Sequence, residues 1–249
     1  MARDIDADFL LLKGFLDNYN LESIGQTASQ LGVVKMAHKA YLPFLQFWSI
    51  CSDEAKTGGF ALFGQSVDAT SQEFAHLREA VSDIGSGFFC CLHGAYKPGY
   101  MALRSSIENF LRFSASHFDI RALTTTSIYE LFELARSTEP FAGSRVVYID
   151  RLRSSYSELC KYTHSASLAH MAGIHALAHF PSFDEKAFDG WLQFAKSSMS
   201  AMAAVTTLGY PSIYLNAHFS AVELLDHLIP QADRLVLLRG KSPSVIALA

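Results

Sequence analysis

Between Ser197 and Ala221 the chain carries no charged side chain, so any fold it adopts must bury this stretch in lipid or in a protein core. A membrane-spanning helix needs about 20 mainly apolar residues, and by length alone the run qualifies. Its contents point to a core. Gly209-Tyr210-Pro211 divides it, because proline lacks the amide proton that a continuing helix requires. Ser197, Ser198, Ser200, Thr206, Thr207, Asn216 and His218 are too polar for a lipid-facing surface. The expectation is a buried pair of helices broken near Pro211, with no membrane span.

Half of the 249 residues are hydrophobic, enough to build a sizeable core without disulfide staples. A formal net charge of -4 excludes the global basic field that drives indiscriminate binding to nucleic acid or anionic lipid, so any RNA contact must be local. The four cysteines, Cys51, Cys90, Cys91 and Cys160, lack the regular spacing of a secreted framework, and reduced, buried thiols are expected. The N-terminal segment places acids ahead of a very short apolar run, unlike an export signal. A cytoplasmic location is therefore expected.

Helical periodicity dominates the rest of the chain. Apolar residues recur at helical intervals from Leu21 to Cys51, with a bend or interruption expected near Pro43. Thr57-Gly58-Gly59 reads as a turn. A helix then restarts over Ala69 to Leu92 behind a Ser/Thr/Asp cluster suited to capping. Lys97-Pro98-Gly99 reads as a break, and Tyr100, Leu103, Ile107, Phe110, Leu111 and Phe113 give the clearest amphipathic helix, to about His117. Further helices are predicted over Ser127 to Arg136, Ser144 to His164, Asp184 to Leu208 and Pro211 to about Leu228. Ser165 to Phe183 reads as an irregular crossover, and Leu235 to Ala249 as a strand-like or loose arm. Sustained β-branched alternation is scarce, so the fold class is all-α, and no repeat or low-complexity linker divides the chain.

Two stretches carry the chemistry. The first is Gly99-Tyr-Met-Ala-Leu-Arg-Ser-Ser-Ile-Glu-Asn-Phe-Leu-Arg112, with Arg104 three residues before Ile107 and four before Glu108. The second is Ile149 to Ser165, which contains Tyr156, Leu159, Cys160, Tyr162 and His164 in the pattern Tyr-x-x-Leu-Cys-x-Tyr-x-His. Arg104 and Glu108 are i,i+4 and share one helix face, while Lys161 and His164 are i,i+3 and share another. If the two helices pack antiparallel, Glu108 is positioned to orient His164 within a polar cluster.

Together these stretches resemble the HEPN-like superfamily of helical bacterial proteins, many of them associated with defence or toxin-antitoxin systems. The resemblance implies one all-helical domain over 1–249, a HEPN-like bundle at roughly 69–228 with helical elaborations at both ends. It implies a protein or RNA partner, a homodimer or larger assembly, and no cofactor. Active members cleave RNA without metal through an Arg-x4-6-His motif, a His serving as base and an Arg steadying the phosphorane charge. The residues carried over are Arg104, Glu108, Lys161 and His164 for catalysis, and Tyr156 and Tyr162 for binding.

The chain departs from that motif. The positions from Tyr156 to Leu159 hold no arginine, and Arg153 lies about 16 Å from His164 at 1.5 Å per helical residue. Lys161 is a poorer planar clamp for phosphate than arginine. The leading expectation is thus a HEPN-like partner-binding protein with a degenerate motif. An active endoribonuclease and a purely structural subunit are the alternatives. A metal site is not expected: His164, His170, His175 and His179 cluster, but without a third ligand at metal-binding spacing. Cys90-Cys91 sits among Phe88, Phe89 and Leu92, which favours packing over redox chemistry.

Overall fold

The computed structural model describes residues 5–18, 24, 26–171 and 181–240, and the chain is all-α, 77% helical. Among the described residues the helices are α1 (Ile5–Asn18), α2 (Ala28–Lys56), α3 (Gln72–Leu92), α4 (Tyr96–Ser116), α5 (Arg121–Thr124) and α6 (Ile128–Arg136). They continue with α7 (Val146–Thr163), α8 (Glu185–Gly209), α9 (Ser212–Leu215), α10 (Phe219–Leu225) and α11 (Gln231–Gly240). One small hairpin interrupts them, β1 (Ala61–Leu62) against β2 (Gln65–Ser66).

Local chemistry sets many of the helix starts. Thr27 and Gln30 form a reciprocal capping box on α2, and Ser71, Ser127 and Asp184 accept the first free amides of α3, α6 and α8. Pro43 does not interrupt α2, which runs on to Lys56 with Pro43 buried. The expected break at Lys97-Pro98-Gly99 is also absent. The chain turns earlier, at Gly94 with φ +82°, and α4 begins at Tyr96. Pro98 falls in the first helical turn, where amides have no intrahelical acceptor and a missing N–H is harmless.

Gly99 is a packing residue. A Cβ there would lie 2.3 Å from Cys91 Sγ and 3.1 Å from the carbonyl of Gly87, so α3 and α4 meet closely at these glycines. Trp191 of α8 fills the neighbouring space, 2% exposed, its ring parallel to Phe88 and its Nε1–H donating to the Gly99 carbonyl at 3.1 Å. Burial of such a side chain contributes about 1.5–3 kcal/mol. Around this junction α4 is central, touching α3, α5, α6, α7 and α8.

The uncharged stretch behaves as its composition predicts. α8 stops at Gly209, Pro211 precedes α9, and Ser198, Thr206 and Thr207 are buried in the core. Among the described residues no helix is long and apolar enough to cross a membrane. The helix expected from Pro211 to Leu228 is instead two short ones, because Asn216 ends α9 and the His218 imidazole accepts the Ser220 amide at the start of α10. Leu235 to Gly240 is helical within α11 rather than a loose arm, and 241–249 lie outside the described residues.

The hairpin packs against the end of α8. Phe63 and Gly64 both have positive φ, as a tight two-residue turn demands, and the Phe63 amide donates to the Gly209 carbonyl at 2.9 Å. A Cβ on Gly209 would sit 2.4 Å from the Phe63 ring.

Candidate functional site

α4 and α7 pack antiparallel, with Tyr156 opposite Glu108 and Tyr162 stacked on Tyr100 at a centroid distance of 4.0 Å. This register decides which of the sequence-predicted residues meet. The Tyr156 hydroxyl donates to Glu108 Oε1 at 2.8 Å, and Arg104 Nε lies 3.3 Å from the same oxygen. The Arg104 guanidinium also sits over the Tyr156 ring, 5.5 Å from its centroid. Burial first, and then the hydrogen bond and charge of Glu108, push the Tyr156 phenol above its ordinary pKa. It remains a neutral donor in the working pH range.

His164 is not part of this group, contrary to the expected trio. It caps the C-terminal end of α7 and is exposed, its amide bonded to the Cys160 carbonyl. It stands eight residues beyond Tyr156, about 12 Å along the helix at 1.5 Å per residue. Glu108 therefore orients a phenol and not an imidazole. Lys161 pairs with Glu158 on its own helix at 2.6 Å, and Tyr162 belongs to the far end of the interface with Tyr100. Arg112, in the same stretch, donates to the carbonyls of Ala122 and Thr125 and holds the end of α5.

The polar seam extends onto α3, through residues the sequence reading did not single out. Asn109 Nδ2 donates to Asp83 Oδ2 at 3.0 Å, while Asn109 Oδ1 lies 2.9 Å from His76 Nδ1. Burial pushes the Asp83 carboxyl above its usual range, with Ser105 and Asn109 opposing the shift and the charges of Glu79 and Glu108 reinforcing it. The available signal was spacing: Ser105 and Asn109 are i,i+4, and His76 and Asp83 are seven apart, two turns on one face of α3.

Chemically, the seam is closed on itself. Within the seam, Arg104, Glu108 and Tyr156 engage one another, as do His76, Asp83 and Asn109. Among the described residues no set of His, Cys, Asp and Glu side chains could hold a metal ion. His175 and His179 lie outside the described residues. Cys51 and Cys91 are buried, and burial raises both thiols well above the ordinary range, which suppresses thiolate reactivity.

Three further arginines around α6 and α7 are paired with carboxylates, while Arg151 lies over the Tyr148 ring. Arg145 pairs with Glu139 at 2.7 Å, Arg153 with Glu133 at 2.5 Å, and Arg136 with Asp150. Arg153 also lies over the rings of Tyr129 and Phe132. Exposed apolar side chains include Tyr129 on α6, Val147 on α7, and Leu235, Val236 and Leu238 on α11. No family model, curated protein or solved structure matches the chain.

Proposed function

We propose that this chain is a HEPN-like helical module of a bacterial defence or toxin-antitoxin system, working in the cytoplasm by binding a protein partner and without cleaving RNA. The observation that carries the reading is the commitment of Glu108 to Tyr156 and Arg104, which leaves His164 alone and exposed at the end of α7. A metal-free ribonuclease needs a base and a phosphate-facing cation in one place. Here Arg104 and Arg153 are held by Glu108 and Glu133, and Lys97, which reaches Ser165 beside His164, is a poorer planar clamp for phosphate than arginine. A protein partner, in a homodimer or a larger assembly, fits the exposed apolar positions of α11, where Leu235, Val236 and Leu238 are 45%, 58% and 51% exposed.

The test pairs two measurements. The purified protein is incubated with a labelled single-stranded RNA in chelator, alongside a His164→Ala variant; no cleavage by either is expected. In parallel, the wild-type chain and a Val236→Glu variant are isolated from the native host and their complexes compared by mass. A defined complex lost in the variant, with an unchanged circular dichroism spectrum, supports the reading. Cleavage abolished by His164→Ala would overturn it in favour of an active endoribonuclease.

A further inference from the structure

Two lysines stand apart from the matched cations. Lys97, in the first turn of α4, reaches only the neutral hydroxyl of Ser165, at 3.1 Å, and Lys186, in the first turn of α8, is exposed; neither forms an ion pair with a described residue. Both line the same cleft, about 580 Å³, between the start of α4, the end of α7 and the start of α8. That volume falls in the range of small-molecule sites, roughly 300–1,000 Å³.

The walls of the cleft are aromatic and fixed. Tyr162 is held against Tyr100 on one face, and His170 meets its ring edge-on at 4.8 Å. The Tyr96 hydroxyl donates to the Asp184 carbonyl at 3.0 Å and accepts the Asp184 amide at 2.6 Å, so this ring is anchored at its tip. Asp184 contributes the opposing charge, but its carboxylate accepts the Ala187 amide as the cap of α8. Glu185 is drawn away to Ser29. Two ammonium groups against one committed carboxylate leave the cleft with a positive excess, and the amide dipoles at the start of the 25-residue α8 add to it.

We propose that this cleft binds a small flat aromatic anion, a ring system carrying a carboxylate or a phosphate. The rings of Tyr96, Tyr162 and His170 supply apolar and quadrupolar contact for the flat portion, and Lys97 and Lys186 supply point charges for the anion. Because the walls are held by hydrogen bonds and stacking, little ordering is required on binding. The site is independent of the apolar positions on α11, so it stands whether or not the protein-partner reading does.

The experiment is calorimetric titration of the full chain with adenosine monophosphate and with an indole carboxylate, the two sources of this chemistry. Adenosine, indole and inorganic phosphate serve as the separate halves. At least one intact anion is expected to bind saturably and about tenfold or more tighter than either of its halves, and the Lys97→Met/Lys186→Met double variant should weaken it about tenfold or more. If the double variant melts early, Lys186→Met alone serves, since that side chain has no described partner. The proposal is overturned if neither anion saturates at millimolar concentration, if phosphate alone binds as tightly as the whole ligand, or if folded lysine variants bind unchanged.

Discussion

Replacing Tyr156 with Phe removes one oxygen and leaves the ring against Phe132 and Arg104, so its effect isolates the bond to Glu108. A hydrogen bond to a charged acceptor is worth about 1.5–3 kcal/mol when the partner is left without a substitute. The Glu108 and Arg104 side chains are 27% and 28% exposed, and water partly replaces the lost donor. The expected cost of Tyr156→Phe is therefore about 1–2 kcal/mol. In a chain of this size each kcal/mol lowers Tm by about 2–4 °C, so the melt should fall by about 2–8 °C. Glu108→Gln keeps an acceptor for the phenol but loses the ion pair, and about 1 kcal/mol is expected. Urea unfolding of Tyr156→Phe, of Glu108→Ala, which removes the acceptor, and of their double variant closes a cycle, in which a coupling of at least about 0.5 kcal/mol marks a direct interaction. Strict additivity, or a Tyr156→Phe variant as stable as wild type, would refute the seam as a structural unit.

Asp83 gives a pH-dependent counterpart. Burial raises its folded-state pKa above the ordinary value of 3.8, so the folded chain holds a proton that the unfolded chain has released. Stability from this group is full below about pH 4, declines as pH rises through the elevated value, and stays reduced at neutrality. Asp83→Asn should flatten that decline in thermal melts between acid and neutral pH; a variant with the wild-type slope would remove Asp83 as its source. Glycine positions should diverge in sign. Gly99→Ala drives a Cβ toward Cys91 Sγ and is expected to cost about 1–3 kcal/mol, whereas Gly32→Ala, in open space on α2, should stabilise by about 0.5–1 kcal/mol. Similar denaturation midpoints for the two would contradict the close approach of α3 and α4.

The parts of the fold legible in the sequence are those whose causes are local. Ser71, Ser127 and Asp184 announce α3, α6 and α8 within three residues of each start, and the polar break before Pro211 divides α8 from α9. The misreadings had causes elsewhere in the chain. Gly99 looks like a helix breaker until Cys91 and Trp191 are placed beside it. The hairpin strands are two residues each, too short for alternation to register. Arg104 and Glu108 were readable as a pair from their spacing, but whether Glu108 faces Tyr156 or His164 depends on how far α7 slides along α4. That offset is fixed by interhelical packing, including the Tyr100–Tyr162 stack, which no single-helix pattern encodes.

The indole of Trp191 hydrogen-bonds a carbonyl 92 positions earlier in the chain, which ties the place of α8 to the pairing of two helices far from it in sequence. α3 and α4 are joined by a tight turn at Gly94 and can zip together as neighbours, closing only a short loop. The seat for the indole does not exist until they have done so, since Gly87 comes from one helix and Gly99 from the other. The indole of α8 therefore fits its native seat only on a surface that α3 and α4 form together. The uncharged stretch that begins in α8 at Ser197 is covered only when α8 is docked, so a variant that loosens the Trp191 seat is expected to expose it and to aggregate more readily than wild type.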